Sequence, residues 1–188
     1  MAADRLPIFQ MARATSALRR FAGDRGGAAT IEVALTTLFM AYSVMNVADI
    51  SIYAYSRMQV QNAAQMGAQA AYEACDSDDL PATSECADLN AAVLRGIRST
   101  ALTSRVTLQS GSPSEGWYCI NSSNALQYMS AYNSKPADCS GAGMASLQPG
   151  DYIKVETQYT YTPVFPSNTT VGSLLNTQIT ASALVRLE

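Results

Sequence analysis

The sequence predicts an α+β fold: one long N-terminal helix, part membrane anchor and part amphipathic, packed on a small antiparallel sheet. Three observations lead there. Residues 28–48 are an apolar run with a single ionisable side chain, Glu32, and residues 49–74 extend it without a proline. Two C-terminal stretches alternate apolar and polar residues with the period of two that a half-buried strand requires. Four cysteines, an even count, suit a body stapled by disulfides in an oxidising compartment.

The apolar run comes first. At ~1.5 Å rise per residue, 28–48 makes a helix of about 31 Å, close to the hydrocarbon thickness of a bilayer. Five arginines precede it (Arg5, Arg13, Arg19, Arg20, Arg25) against two aspartates, Asp4 and Asp24, while Asp49, Glu73, Asp76, Asp78 and Asp79 follow it. That asymmetry places the N-terminus in the cytoplasm and exports the rest. Glu32 is out of place inside such a segment, because a carboxylate at that depth costs several kcal/mol unless protonated or paired. The plain alternative is a protonated glutamate facing headgroups at the end of an ordinary anchor.

From Asp49 to Cys75 the helix should continue. Val60, Ala63, Ala64, Gly67, Ala70, Ala71 and Ala74 recur at three- and four-residue spacing, a shallow face that lets a sheet or helix approach closely. Cys75 then ends the helix before an acidic loop, Asp76-Ser-Asp-Asp-Leu-Pro. A second helix is expected over 87–102, capped by Asp88, with Ala92, Val93, Ile97 and Leu102 turned to the core. Short strands are expected at 105–109 and 117–120, and 121–150 reads as a long loop pinned by Cys139. There Tyr128, Met129 and Tyr132 either meet a partner or fold back onto the body. The clearest strand follows, with Ile153, Val155, Thr157, Tyr159 and Tyr161 on one face and Lys154, Glu156, Gln158 and Thr160 on the other. Residues 177–187 supply its hairpin partner, with Ile179, Ala181, Ala183, Val185 and Leu187 on one side. Three cysteine pairings are possible. Cys75–Cys86 with Cys119–Cys139 is favoured, since each closes a local loop.

A basic leader, the Gly26-Gly27 pair, an apolar helix from Ala28 and a glutamate five residues past Gly27 match the arrangement of type IV prepilins. An ordinary secretory signal would need its own apolar core before the cut, and residues 1–27 have none. More narrowly, the chain resembles the TadE-like minor pilins (pseudopilins) of the tight adherence, or Tad, pilus system. The matching residues are Arg19-Arg20-Phe21 and Asp24-Arg25-Gly26-Gly27-Ala28-Ala29-Thr30-Ile31-Glu32-Val33-Ala34-Leu35. The 61–71 stretch and the C-terminal strand pair ending in Arg186 match loosely, and 76–150 not at all. The resemblance implies a prepilin leader (1–27) removed between Gly27 and Ala28 by a prepilin peptidase. It implies a transmembrane and filament-core helix (28–48), its amphipathic continuation (49–75) and an exported domain (76–188). It also implies other pilin and minor pilin subunits and an inner-membrane pilus assembly machinery as partners. The protein would then be single-pass in the inner membrane with a periplasmic domain, and reach the pilus after assembly. Glu32 lies one turn beyond the new α-amino group, placed to complement a neighbour's amine and the positive end of the helix dipole.

Other function classes find little support. Without the leader the chain keeps seven Lys/Arg against thirteen Asp/Glu, a net of −6, so no basic face invites nucleic acid. With no histidine and no Cys-x-x-Cys pair, neither a metal site nor a redox-active dithiol is expected. No cofactor or catalytic site is expected either: the carboxylates fall in a loop and on a sheet face without a defensible pairing. The expectation is therefore a structural pilus subunit. Its rival is an uncleaved, membrane-anchored periplasmic binding or scaffolding protein, and a tip adhesin differs from the first mainly in location.

Overall fold

The structure, a computed structural model, describes residues 25–75, 80–165, 174–175 and 177–187. The expected leader up to residue 24, the acidic residues 76–79 and most of the 167–176 connection lie outside the described residues. The chain divides into two units, Met1–Ala48 and Asp49–Glu188. Helix α1 (Arg25–Ala74) contributes to both. It starts before the expected Ala28 and takes in Gly26 and Gly27. It ends where Cys75 was expected to stop it.

The described part of the first unit is helix alone, apolar on every side. Leu38 and Phe39 are 69% and 71% exposed, and Ile31, Val33, Leu35, Val44 and Val47 resemble them. A helix that is apolar all round is covered in its working state by lipid or protein. By length and composition α1 is compatible with a membrane anchor.

The second unit is a five-stranded antiparallel sheet with helices on one face. Its strands are β1 (Thr107–Leu108), β2 (Ser114–Ile120), β3 (Leu126–Ala131), β4 (Gly150–Thr160) and β5 (Gln178–Arg186). Central β4 pairs along its length with β5, from Tyr152↔Arg186 to Thr160↔Gln178. Its other edge is shared by β2, through Ser114↔Lys154 to Tyr118↔Gly150, and β1, at Thr107↔Gln158. Strand β3 lies outside β2. The predicted alternation sets the sheet face. Ile153, Val155, Thr157 and Tyr161 are buried with Val60, Ala63, Ala68 and Ala71 of α1. The Thr157 hydroxyl lies 3.2 Å from the Val60 carbonyl, tying helix to sheet inside the core. On the opposite face Lys154 and Glu156 form an ion pair at 2.7 Å.

Two short helices complete the layer: α2 (Ala82–Glu85) and α3 (Leu89–Arg98). The predicted core residues Ala92, Val93, Ile97 and Leu102 are buried, joined by Leu89. The expected 87–102 helix is shorter, because the chain breaks into a turn and a 3₁₀ segment at Thr103–Arg105. That segment also reduces the predicted 105–109 strand to two residues. Asp88 occupies the N-cap position, but its side chain makes no capping bond. A second correction concerns 121–150. Strand β3 and a 3₁₀ turn at Ser140–Ala142 structure what sequence reads as a loop.

Both disulfides take the local pairing, Cys75–Cys86 and Cys119–Cys139. The first joins the end of α1 to the segment before α3. The second sits in its own small cluster with Ala142, Met129 and Met144. Loop-closure entropy for separations of 11 and 20 residues predicts that each stabilises by about 3 kcal/mol. A Cys75→Ser/Cys86→Ser double variant should therefore unfold at lower denaturant in detergent, by that free energy. An unchanged midpoint would remove the staple from the stability of the body.

Candidate functional site

Two places hold the residues singled out by sequence, the start of α1 and the aromatic segment of β2 and β3, and the structure adds a third at Asp49. At the first, a Cβ added to Gly27 would meet nothing within 4 Å among the described residues. Glu32 is exposed on the helix, and its carbonyl accepts from the Thr36 hydroxyl at 2.8 Å. Thr37 and Ser43 bond back to Val33 and Phe39 in the same way, and the Asn46 amide to Tyr42. Back-bonding hides these polar groups within the helix, which suits an apolar surrounding. The Glu32 carboxylate has no such cover: among the described residues it takes part in no ion pair. Gly27 and Glu32 thus occupy one helical stretch, whereas the sequence places the helix start at Ala28.

The aromatic segment mostly folds back onto the body. Tyr132 stacks on Trp117 with ring centroids 5.6 Å apart, and its carbonyl accepts the indole N–H at 2.7 Å. The Lys135 ammonium lies 4.2 Å from the same ring, a cation–π contact. Met129 packs on the second disulfide. Tyr128 remains exposed, edge-on to Tyr118 at 5.4 Å. Burial raises the Tyr118 hydroxyl above the ordinary tyrosine range, opposed by the charge of Lys154. The hydroxyl and backbone N–H of Ser140 hold the Asp138 carboxyl below the ordinary range. These contacts order the β2–β3 hairpin and its following loop; none assembles a nucleophile beside a base.

A surface cleft of about 410 Å³ opens beside β1 and β4, lined by Arg105, Thr107, Gln158, Thr160, Thr162 and Gln178. It offers one guanidinium among hydroxyls and amides. Among the described residues no three His, Cys, Asp or Glu side chains converge as metal ligands.

Sequence reading missed two carboxylates. Glu115 of β2 reaches across the fold to cap α2, accepting from the backbone N–H groups of Ala82 at 3.0 Å and Thr83 at 2.9 Å. No local motif encodes that cap. Asp49 reads in sequence only as the first charge past the apolar run, yet its side chain is wholly buried. Its Oδ1 accepts from the backbone N–H of Val164 at 2.9 Å and, more weakly, of Phe165 at 3.4 Å. Its carbonyl accepts the Tyr161 hydroxyl at 3.1 Å, and Tyr161 meets Tyr53 edge-on. The signal available in sequence was its isolation as the only Asp, Glu, Lys or Arg between Glu32 and Arg57. No protein family matches the chain, and neither a curated protein nor a solved structure is significantly similar to it.

Proposed function

We propose that the chain is a structural subunit of a Tad-type pilus, a minor pilin or pseudopilin cut after Gly27 and incorporated into the filament or used to prime it. One observation carries the reading: up to Ala48 the helix is apolar around its surface and bears one exposed carboxylate, Glu32, five residues beyond Gly27. Lipid satisfies the apolar surface before assembly, and neighbouring subunits satisfy it afterwards. Cleavage would give Ala28 a positive α-amino group, and Glu32 of an adjoining subunit is the complementary charge. Pairing the two leaves neither unpaired in a low-dielectric core. The exported body, closed by two disulfides, suits an extracytoplasmic place. The partners on this reading are a prepilin peptidase, other pilin and minor pilin subunits, and the inner-membrane assembly machinery. No catalytic role is proposed.

Mass spectrometry of the protein extracted from membranes tests the reading directly. A mature N-terminus at Ala28 is the expected result. A chain that keeps residues 1–27 would overturn it in favour of an uncleaved periplasmic scaffold.

A further inference from the structure

The stretch of α1 that lacks any ionisable residue is too short if Asp49 ends it. Between Glu32 and Asp49 lie residues 33–48, about 24 Å of helix at ~1.5 Å per residue. The hydrocarbon core of a bilayer is about 30 Å thick. Yet no part of Asp49 reaches the surface. It is 0% exposed, with Val164 and Phe165 bonded to its carboxylate and Tyr161 to its carbonyl. The segment 158–165 that supplies these donors contains no Lys, Arg, Asp or Glu.

Past Asp49 the helix stays apolar and exposed. Ile50 is 47% and Ile52 41% exposed, and Tyr55 stands between them and Arg57, the next ionisable residue. At 100° per residue Ile52 and Tyr55 share one side of the helix and Ile50 lies across from them, so the apolar collar is not one stripe. Val164, held at the level of Asp49 by its own N–H, is 54% exposed beside it. Counted by exposed charge, the uncharged surface runs over residues 33–56, about 36 Å, enough to cross the bilayer and enter its interface. Tyr53 and Tyr55 fall at the end of that span, where amphipathic rings prefer to sit.

We infer that residues 161–165 are a cover that seals the Asp49 carboxylate from lipid, so that the protein meets the membrane surface near Arg57, with Ile52 and Val164 in the interfacial layer. This rests on the reading of α1 as a membrane span. Within that reading it moves the boundary by about two helical turns and gives the loop after β4 a lipid-contacting role.

The test uses the full chain in phosphatidylcholine nanodiscs, with Ile, Leu and Val methyl groups labelled for NMR and a nitroxide on the lipid acyl chain near the headgroup. The Ile52 and Val164 methyl signals should lose about half or more of their intensity to the nitroxide, as expected for groups in the interface. Leu126 and Leu147 are the exposed controls and should stay sharp. Leu126 pairs with Ile120 beyond the Tyr118↔Gly150 pair, at the end of β4 opposite Tyr161, and Leu147 precedes Gly150. If Val33, Leu35 and Leu38 broaden while Ile52 and Val164 stay as sharp as the controls, the anchor stands and the cover is overturned. If Val33, Leu35 and Leu38 also stay sharp, the membrane reading fails and takes the cover with it.

Discussion

Replacing Gly96 with alanine is expected to destabilise the sheet-bearing unit by about 2–3 kcal/mol, although alanine is the better helix former. Gly96 lies inside α3, where Gly→Ala at an open position would gain about 1 kcal/mol of helix propensity. Here the new Cβ would stand 2.5 Å from the Met66 carbonyl oxygen and 2.9 Å from the Ala70 Cβ. Neither neighbour is the tip of a flexible side chain, so relief requires α3 to move off α1. That movement would also loosen Ile97, which fills the space above Gly67 and whose Cγ1 stands 3.0 Å from where a Cβ on that glycine would lie. Overpacking against backbone therefore outweighs propensity. Asn90→Ala, on the exposed side of the same helix, is the matched control and should change stability by a few tenths of a kcal/mol in the favourable direction. Urea unfolding followed by near-UV circular dichroism separates the two. A Gly96→Ala variant at least as stable as the parent would mean that the two helices do not touch there.

That contact shows where sequence was informative and where it was not. The small-residue stripe of α1 was visible from its spacing, because periodicity is a local property of one element. Its buried members include Val60, Ala63, Gly67 and Ala71, which join the core with the sheet, while half-buried Ala70 lies against Gly96 of α3. The β4–β5 hairpin was visible for the same reason, since one face is wet and the other is covered. Strand β3 was not. Leu126, Gln127 and Tyr128 are all exposed, so no alternation marks the strand, and pairing with β2 holds it. Asp88 failed as a predicted cap because its backbone is already helical, whereas an N-cap acts from extended geometry. Glu115 succeeds as a cap from 32 and 33 residues away, a relation no local window contains.

The site divides along the same line. The proposed roles of Gly27, Ala28 and Glu32 rest on linear spacing alone; the structure adds only that one helix runs through all three, from Arg25 rather than from Ala28. The state of Asp49 needed tertiary information. An isolated aspartate after an apolar run reads as a topology marker until the chain from β4 is seen to return and bury it. A charge is evidence about a membrane boundary only if it is exposed, and exposure is not written in the residue type.

The second large effect concerns Glu32. A Glu32→Ala variant should enter the membrane and lose its leader normally, yet be absent from sheared pili. Insertion depends on the apolar surface and on the arginines ahead of it, neither of which changes; removing a carboxylate from an apolar segment, if anything, favours insertion. Leader removal, on the proposed reading, needs access at Gly27, where the helix is open. Assembly is different. Each subunit would bring one α-amino group into a low-dielectric filament core, and taking away its partner leaves that charge unpaired. Breaking a buried pair from one side costs about 3–5 kcal/mol, and each 1.4 kcal/mol is about a tenfold change in an equilibrium. The loss would recur at every such contact, so the assembled fraction should fall below detection. Glu32→Gln keeps the shape and a hydrogen-bonding oxygen but not the charge, and should recover only part of it. Immunoblots of sheared pili against the membrane fraction, with the mature N-terminus checked by mass spectrometry, give the readout. Normal assembly of Glu32→Ala, with Ala28 as the mature N-terminus, would remove the carboxylate from the mechanism while leaving the processing step intact. Assembly lost together with cleavage would instead place Glu32 in peptidase recognition.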